Sequence, residues 1–305
     1  MHEGNRQGKE GGDIPDLTVI VPACNEALII EQVVSSLITV LKNLDLSSEV
    51  LVIDDGSEDE TAIIAQAAGA QVFRHPYTIG NGAAIKTGIR NAKGAILVMM
   101  DGDGQHNAQD IPRLIENIGM FDMVVGARSP KSDSPWHRNL ANRIYNRAAT
   151  YVSGIRILDL TSGFRSIKAN VAHKFVYLLP NTFSYPTTIT LSITRTGHSI
   201  SYIPITTNQR VGKSKIKVFR DGVRFLLIIL RIATFFAPLK IFIPVSFLFF
   251  SAGIAYGLIK IFVFRGPYGP TTTLLITTSI LVFLVGLISE QIAHLRFEHS
   301  EVFDS

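Results

Sequence analysis

The chain has 305 residues, 47% of them hydrophobic and 18% charged, and a formal net charge of +4. Its one cysteine, Cys24, excludes an intramolecular disulfide and points to a reducing compartment. The mean hydropathy is positive, high for a soluble protein, and its excess sits in the last quarter of the chain; the basic residues cluster between Arg210 and Lys240, and nucleic acid is not an expected partner.

Met1–Asp16 is polar and glycine-rich with no apolar core, so it reads as a tail and not as a cleavable signal peptide. From Leu17 to Gly126 apolar strands alternate with amphipathic helices. Strands are predicted at Leu17–Val21, Glu49–Ile53, Ala70–Phe73, Ala95–Met100 and Met123–Val125. Helices are predicted at Glu26–Asn43, Glu58–Ala68, Gly82–Asn91 and Gln109–Ile118, with a further helical pattern over Trp136–Gly154. Such alternation predicts an α/β fold, a mostly parallel sheet covered by helices on both faces, with ligands at the carboxyl ends of the strands.

The polar clusters fall at those ends. Pro22-Ala23-Cys24-Asn25-Glu26 follows strand one, and Asp54-Asp55-Gly56-Ser57-Glu58-Asp59-Glu60-Thr61 follows strand two. Ser57 and Glu60 fit a helix capping box, whereas adjacent acids at a strand end repel one another unless something binds them. Cys24 reads as a small apolar side chain, because no histidine neighbours it locally. Gly80-Asn81-Gly82, with Lys86 a turn later, opens a helix and offers either phosphate contacts or a plain helix start. The fourth strand stops on Asp101-Gly102-Asp103. Side chains at i and i+2 of an extended segment share a side, so these two carboxylates suit either a capping turn or a hard divalent cation held against phosphate oxygens. Arg128 ends strand five, Arg138, Arg143 and Arg147 follow, and then comes Asp159-Leu160-Thr161-Ser162-Gly163-Phe164-Arg165.

The last quarter reads as membrane-associated. Around a helix through Lys217, Arg220, Arg224 and Arg231 lie within about 60° of that lysine, opposite Phe219, Val223, Leu226 and Leu230. A basic stripe against an apolar face suits an interfacial helix on anionic head groups. Ile241–Ile259 and Thr271–Ser289 are uncharged runs of about 28 Å each as helices, joined by a short Gly-Pro turn. Lysines and arginines from Lys213 to Lys240 number seven, against two, Lys260 and Arg265, in the turn, so the positive-inside rule predicts two transmembrane helices with the large domain and both termini cytoplasmic.

Taken together, Pro22–Glu26, Asp54–Thr61 and Asp101–Asp103 resemble the P-x-x-N-E, D-D-G-S-x-D-x-T and D-x-D motifs of family 2 glycosyltransferases of the GT-A fold. Thr161–Arg165 and Arg210-x-Gly212-Lys213-Ser214-Lys215 resemble the subgroup acting on polyprenyl phosphates, the dolichyl-phosphate sugar synthases and their bacterial relatives. The resemblance covers Leu17 to Glu290. It implies a GT-A catalytic domain over 17–212, a juxtamembrane helix over 213–238, a transmembrane hairpin over 239–295 and a cytoplasmic tail over 296–305. It further implies that Pro22, Asn25, Glu26, Asp54, Asp55, Lys86, Gly102 and Arg128 bind a UDP- or GDP-linked sugar. Asp101, Asp103 and Gln105 would hold Mg²⁺ or Mn²⁺, Asp159 and Arg165 would join Asp101 and Asp103 in catalysis, and Arg138, Arg210, Lys213, Ser214 and Lys215 would contact the acceptor phosphate. Cys24 replaces a usual aromatic, Asn81 a frequent lysine, and Gly163 an acid that some relatives place before the Phe-Arg pair. There is no Q-x-x-R-W motif, which argues against a processive polysaccharide synthase.

The activity so implied is inverting transfer of one hexose from a nucleotide sugar to a polyprenyl phosphate at the bilayer, and a homo-oligomer is compatible with it. Transfer to another lipid such as diacylglycerol, or a catalytically silent scaffold of the same fold, are the alternatives. An uncharged hydroxyl acceptor needs a base, for which Asp159 is the nearest acid; an ionised phosphate does not.

Overall fold

The computed structural model describes residues 15–129, 136–181, 184–207 and 234–301, without the side chains of 136–141 and 296–301. The expected N-terminal tail up to residue 14, the Arg210–Lys215 loop and the basic stripe from Lys217 to Arg231 lie outside the described residues, as does the Arg138 side chain.

Seven strands make one sheet: β1 (Leu17–Ala23), β2 (Ser48–Asp54), β3 (Gln71–Arg74), β4 (Ile96–Met99), β5 (Met123–Arg128), β6 (Arg165–Lys168) and β7 (Ile200–Ile205), in the order β3-β2-β1-β4-β6-β5-β7. β6 runs antiparallel to both neighbours, and every other pairing is parallel. β1 is buried along its whole length, as an unbroken apolar run in the middle of a parallel sheet must be. Its alternate residues feed two cores. Leu17, Val19 and Val21 pack with α1 (Ile30–Lys42) and α4 (Ile111–Glu116) on one face. On the other, Ile20 joins residues of α3 (Asn81–Asn91), α6 (Ala169–Phe175) and α7 (Tyr185–Arg195). α2 (Thr61–Ala67) and α5 (Trp136–Ser153) complete the set.

All five predicted strands and four predicted helices before Gly126 are present, but three helices are shorter than predicted. α1 starts at Ile30 rather than Glu26, because the Asn25 and Glu26 amides donate instead to Ser57 Oγ and Thr61 Oγ1, both at 2.9 Å. The Ser57–Glu60 capping box does not form: Ser57 turns back to Asp54, and α2 begins only at Thr61. Gln109–Ile118 divides into a 3₁₀ turn over Ala108–Asp110 followed by α4. β6 and β7 went unpredicted, since four and six residues of mixed polarity become strands only through pairing.

That pairing has a polar lock at its far end. Asp122 accepts from the Ser199 amide and hydroxyl, both at 2.8 Å, and from Lys168 Nζ at 2.9 Å, joining the starts of β5 and β7 to the end of β6. Burial opposes its charge, but the Ser199 and Lys168 hydrogen bonds outweigh this and hold its carboxyl far below the usual range. A depressed native pKa stabilises the fold above the unfolded value of about 4 and loses that contribution as pH falls through the native one. Asp122→Asn is therefore expected to cost about 1–3 kcal/mol at neutral pH, with the gap to wild type closing in thermal melts as pH is taken below 4.

The hairpin consists of α8 (Leu239–Phe262) and α9 (Pro270–Glu301). Both are long and apolar enough to cross a membrane, and they leave Phe247, Leu248, Phe262, Leu274 and Ile288 exposed, where a core helix would cover them. Their backbones meet at small residues: a Cβ on Gly286 would lie 2.5 Å from Phe242 Cβ, and one on Gly257 2.9 Å from Thr272 Cγ2. The helices run past the predicted ends of the spans, carrying Lys260 and Glu290 inside them.

Candidate active site

At the carboxyl edge of the sheet, the ends of β1 and β2 lock together. Asn25 takes a left-handed conformation (φ 58°), and its side-chain oxygen accepts from the Glu58 amide at 2.8 Å. Asp54, with no exposed surface, accepts from the Ser57 amide at 3.0 Å and pairs with Arg74 Nε at 3.1 Å. Asp55 accepts from the Ile79 and Gly80 amides at 3.0 and 2.8 Å and meets His75 Nδ1 at 2.7 Å, while His75 Nε2 reaches Thr87 at 2.9 Å. Between them Gly56 (φ +69°) passes so close to the Tyr77 backbone that a Cβ would lie 2.4 Å from its carbonyl carbon. The two adjacent acids, expected to face the donor, are thus bound by the protein itself. Asp55 thereby sets the 75–80 loop that leads into α3.

Asp101 follows β4 by two residues, and the next turn holds it against β1. The Gly102 amide donates to Pro22 O at 3.2 Å, where a Cβ would stand 3.0 Å from that oxygen. The Asp101 side chain, 32% exposed, lies 3.8 Å from His106 Nε2 and 3.5 Å from Asn81 Nδ2. His106 stacks on Phe164 with centroids 5.0 Å apart. A Cβ on Gly163 would lie 2.7 Å from Asp101 Oδ2 and 3.2 Å from Tyr185 Oη, so the absent side chain is what lets the Thr161–Arg165 segment lie against this carboxylate. Burial works against the Asp101 charge, yet His106, the Asn81 amide and the Arg165 guanidinium outweigh it and hold its pKa below the ordinary value. Burial first, and then the Asp101 charge, push the Tyr185 phenol far up, so it stays protonated.

Around this carboxylate four buried polar atoms have no hydrogen-bond partner among the described residues: Asn81 Oδ1, His106 Nδ1, Ser162 Oγ and Tyr185 Oη. Orphans gathered at one point mark a site that a ligand completes. Asp103 accepts from the Gln105 amide at 3.1 Å. Among the described residues no three His, Cys, Asp or Glu side chains gather to hold a metal unaided. Two partly exposed carboxylates fit a hard cation that draws its remaining ligands from substrate phosphates and water, and do not make a closed structural site.

The other expected groups sit differently. Arg128, a presumed phosphate ligand, forms a fork with Asp159, Nε to Oδ2 and Nη2 to Oδ1 at 2.8 Å each, and adds Thr161 at 2.5 Å. Burial opposes both charges, but the pairing outweighs it, lowering the Asp159 pKa and raising that of Arg128. Asp159 is therefore a poor base. Arg165 is 0% exposed and donates to Pro186 O and Thr190 Oγ1 at 3.1 and 3.0 Å; it braces β6 against α7 beneath the site. Lys86 donates to Asn181 Oδ1.

Comparison with known proteins adds to this geometry. Residues 18–176 match the model of glycosyl transferase family 2. The chain belongs to glycosyltransferase family 2. Residues 237–295 match the GtrB C-terminal hairpin. Among its relatives, the uncharacterized protein MJ1222 of Methanocaldococcus jannaschii is 31% identical over 172 residues, covering 53% of this chain and 68% of that one. An undecaprenyl-phosphate 4-deoxy-4-formamido-L-arabinose transferase of Sodalis glossinidius is 27% identical over 190 residues, and the match spans 57% of this chain and 58% of that relative's length. For the fold, glucosyl-3-phosphoglycerate synthase from Mycobacterium tuberculosis, solved with Mn²⁺ and UDP-glucose, aligns with a TM-score of 0.57 at 21% identity over 70% of this chain and 77% of that one. This family 2 chain thus carries a GT-A type sheet.

Sequence reasoning passed over His106, Asn81 Oδ1, Ser162 and Tyr185 as functional groups. His106 had a signal, lying three residues past the acid pair. Tyr185 had none, because it is 84 positions from Asp101 in sequence and reaches it only through α7.

Proposed function

We propose that this family 2 glycosyltransferase moves one sugar from a UDP- or GDP-linked donor to a polyprenyl phosphate at the membrane surface. The observation that carries the proposal is the Asp101–Asp103 pair at the end of β4, ringed by orphaned polar atoms, in a chain that ends in an apolar hairpin.

In this reading Pro22, Asn25, Glu26, Gly102 and Lys86 line the donor pocket, with Asp54 and Asp55 as its scaffold. Mg²⁺ or Mn²⁺ held by Asp101 and Asp103, with Gln105 beside them, would offset the charge that grows on the departing nucleoside diphosphate. The acceptor is largely ionised at neutral pH, since a phosphate monoester's second pKa is about 6. Its oxygen attacks the anomeric carbon, the bond from that carbon to the diphosphate oxygen breaks, and the electron pair leaves with the nucleotide, inverting the centre. No residue need take a proton, which suits an Asp159 held ionised by Arg128 and disfavours the diacylglycerol alternative. Arg138, Arg210, Lys213, Ser214 and Lys215 are the proposed acceptor-phosphate contacts, and basic charge there offsets repulsion between two anionic substrates. We assign residues 17–212 to catalysis, 213–238 to an interfacial helix and 239–295 to the transmembrane hairpin, with the catalytic domain and termini cytoplasmic.

The resemblance implies a hexose, whereas the Sodalis glossinidius relative is named for transfer of a modified arabinose, so the test is a donor panel. Purified protein in vesicles with polyprenyl phosphate and Mg²⁺ or Mn²⁺ receives UDP- and GDP-hexoses and UDP-4-deoxy-4-formamido-L-arabinose, and the lipid product is weighed by mass spectrometry. One donor is expected to give a lipid-linked sugar, and EDTA to abolish it. Absence of product with every donor would sink the proposal.

A further inference from the structure

Glu290 lies in a candidate membrane span, where a lone carboxylate is costly. It has three partners, drawn from two elements besides its own. Its Oε2 accepts from the Leu239 amide at 3.1 Å, one of the unpaired N–H groups that open α8. Its Oε1 lies 3.7 Å from Arg195 Nη2, at the last residue of α7 in the sheet domain, and 3.6 Å from His294 one turn along α9.

The other end of α7 is Tyr185, whose hydroxyl shares the space beside Gly163 with Asp101 Oδ2. α7 is 11 residues long, about 16 Å, and nearly all of it is buried. Arg165 pins its first turns to β6 through Pro186 O and Thr190, and Leu191 packs in one cluster with Phe236 and Ala237, just before α8. Nearby, Lys240 Nζ caps α5 by donating to the Tyr151 and Val152 carbonyls at 2.6 and 2.8 Å. The helix is thus a stiff rod with the candidate catalytic carboxylate at one end and the hairpin at the other.

We propose that Glu290, by clamping Arg195 to the start of α8, sets the position of the sheet domain relative to the bilayer, so that a phosphate carried by an embedded lipid meets the Asp101 site. Glu290 is then a positioning residue for the lipid acceptor, and this rests on the function proposed above. The clamp matters only when the acceptor is fixed in the membrane, because a freely diffusing acceptor reaches the site at any height.

That asymmetry is the test. Glu290→Ala and Glu290→Gln are assayed in vesicles against a long-chain polyprenyl phosphate and a short, water-soluble prenyl phosphate. Displacing a reacting group by about 1 Å costs up to about 100-fold; the alanine variant is expected to lose at least about tenfold in kcat/KM on the embedded acceptor and to stay within about twofold on the soluble one. Gln keeps an oxygen for the Leu239 amide but loses the charge facing Arg195, so an intermediate loss is expected. Equal loss on both acceptors, or loss on neither, overturns the clamp. Wild-type inactivity on both would instead overturn the functional reading. The clamp is then judged without activity, by energy transfer from a dye on Asp45→Cys, in a Cys24→Ser background, to headgroup-labelled lipid. Glu290→Ala is expected to shift or broaden the transfer efficiency, and an unchanged value overturns the proposal.

Discussion

Asp103→Asn is expected to lower the rate of lipid-linked sugar formation by about 10²–10³-fold, the scale of removing one well-placed electrostatic stabiliser from a reaction centre. The substitution isolates charge from shape. Asp103 Oδ1 accepts the Gln105 amide, and an asparagine oxygen accepts it equally well, so the turn after β4 survives. Nucleotide binding in the presence of Mn²⁺ should weaken along with turnover, while the melting temperature stays near that of wild type. Retained turnover in a folded Asn variant would remove the acid pair from the mechanism. Asp101→Asn is less clean, because that carboxylate also balances His106, Asn81 and the buried Arg165.

Breaking the Arg128–Asp159 pair should have the largest effect on stability. Both side chains are mostly buried, at 15% and 7% exposure, and joined by a fork. Arg128→Met leaves Asp159 charged and without its main partner, for an expected cost of about 3–5 kcal/mol. For a domain of this size that corresponds to a fall of about 10 °C in the thermal midpoint. The native Asp159 pKa is depressed, so the pair's contribution is present above about pH 4 and fades as the solution is acidified through the native value. Asp159→Asn decides between structure and base catalysis. A structural role predicts activity that falls only with the folded fraction and a pH–rate profile of unchanged shape. A base predicts a folded, inactive enzyme that has lost its acidic limb.

Much of the sheet was legible before any coordinates. β1, β2 and β4 are apolar runs too continuous to be anything but buried strands, and the helices between them carry the right period. The helices start later than Glu26 and Glu58, the second in part because Ser57 turns back to Asp54. The residues after β1 and β2 hydrogen-bond across to each other, Asn25 to Ser57 and Glu26 to Thr61, and no local rule sees a partner more than 30 residues away. Distance also explains the missed β6 and β7, whose strand character comes from β4 and β5. It bears on Asp54, Asp55 and Arg128 as well, expected at the donor, which find their counter-charges or donors inside the protein.

The sequence alone determined the α/β alternation, the acid pair at the end of β4 and the two apolar runs behind it, because strand period, helix period and span length are local properties of a chain. Tertiary structure decided which charges remain for a ligand. A carboxylate's availability depends on what lies within a few ångströms of it, and here those neighbours come from distant segments: Arg74 for Asp54, His75 for Asp55, Arg128 for Asp159, and Arg195 for Glu290. Asp101 came out of that sorting beside four orphaned polar atoms. The sheet brought them together from positions 81 to 185, and only folding reveals such a gathering.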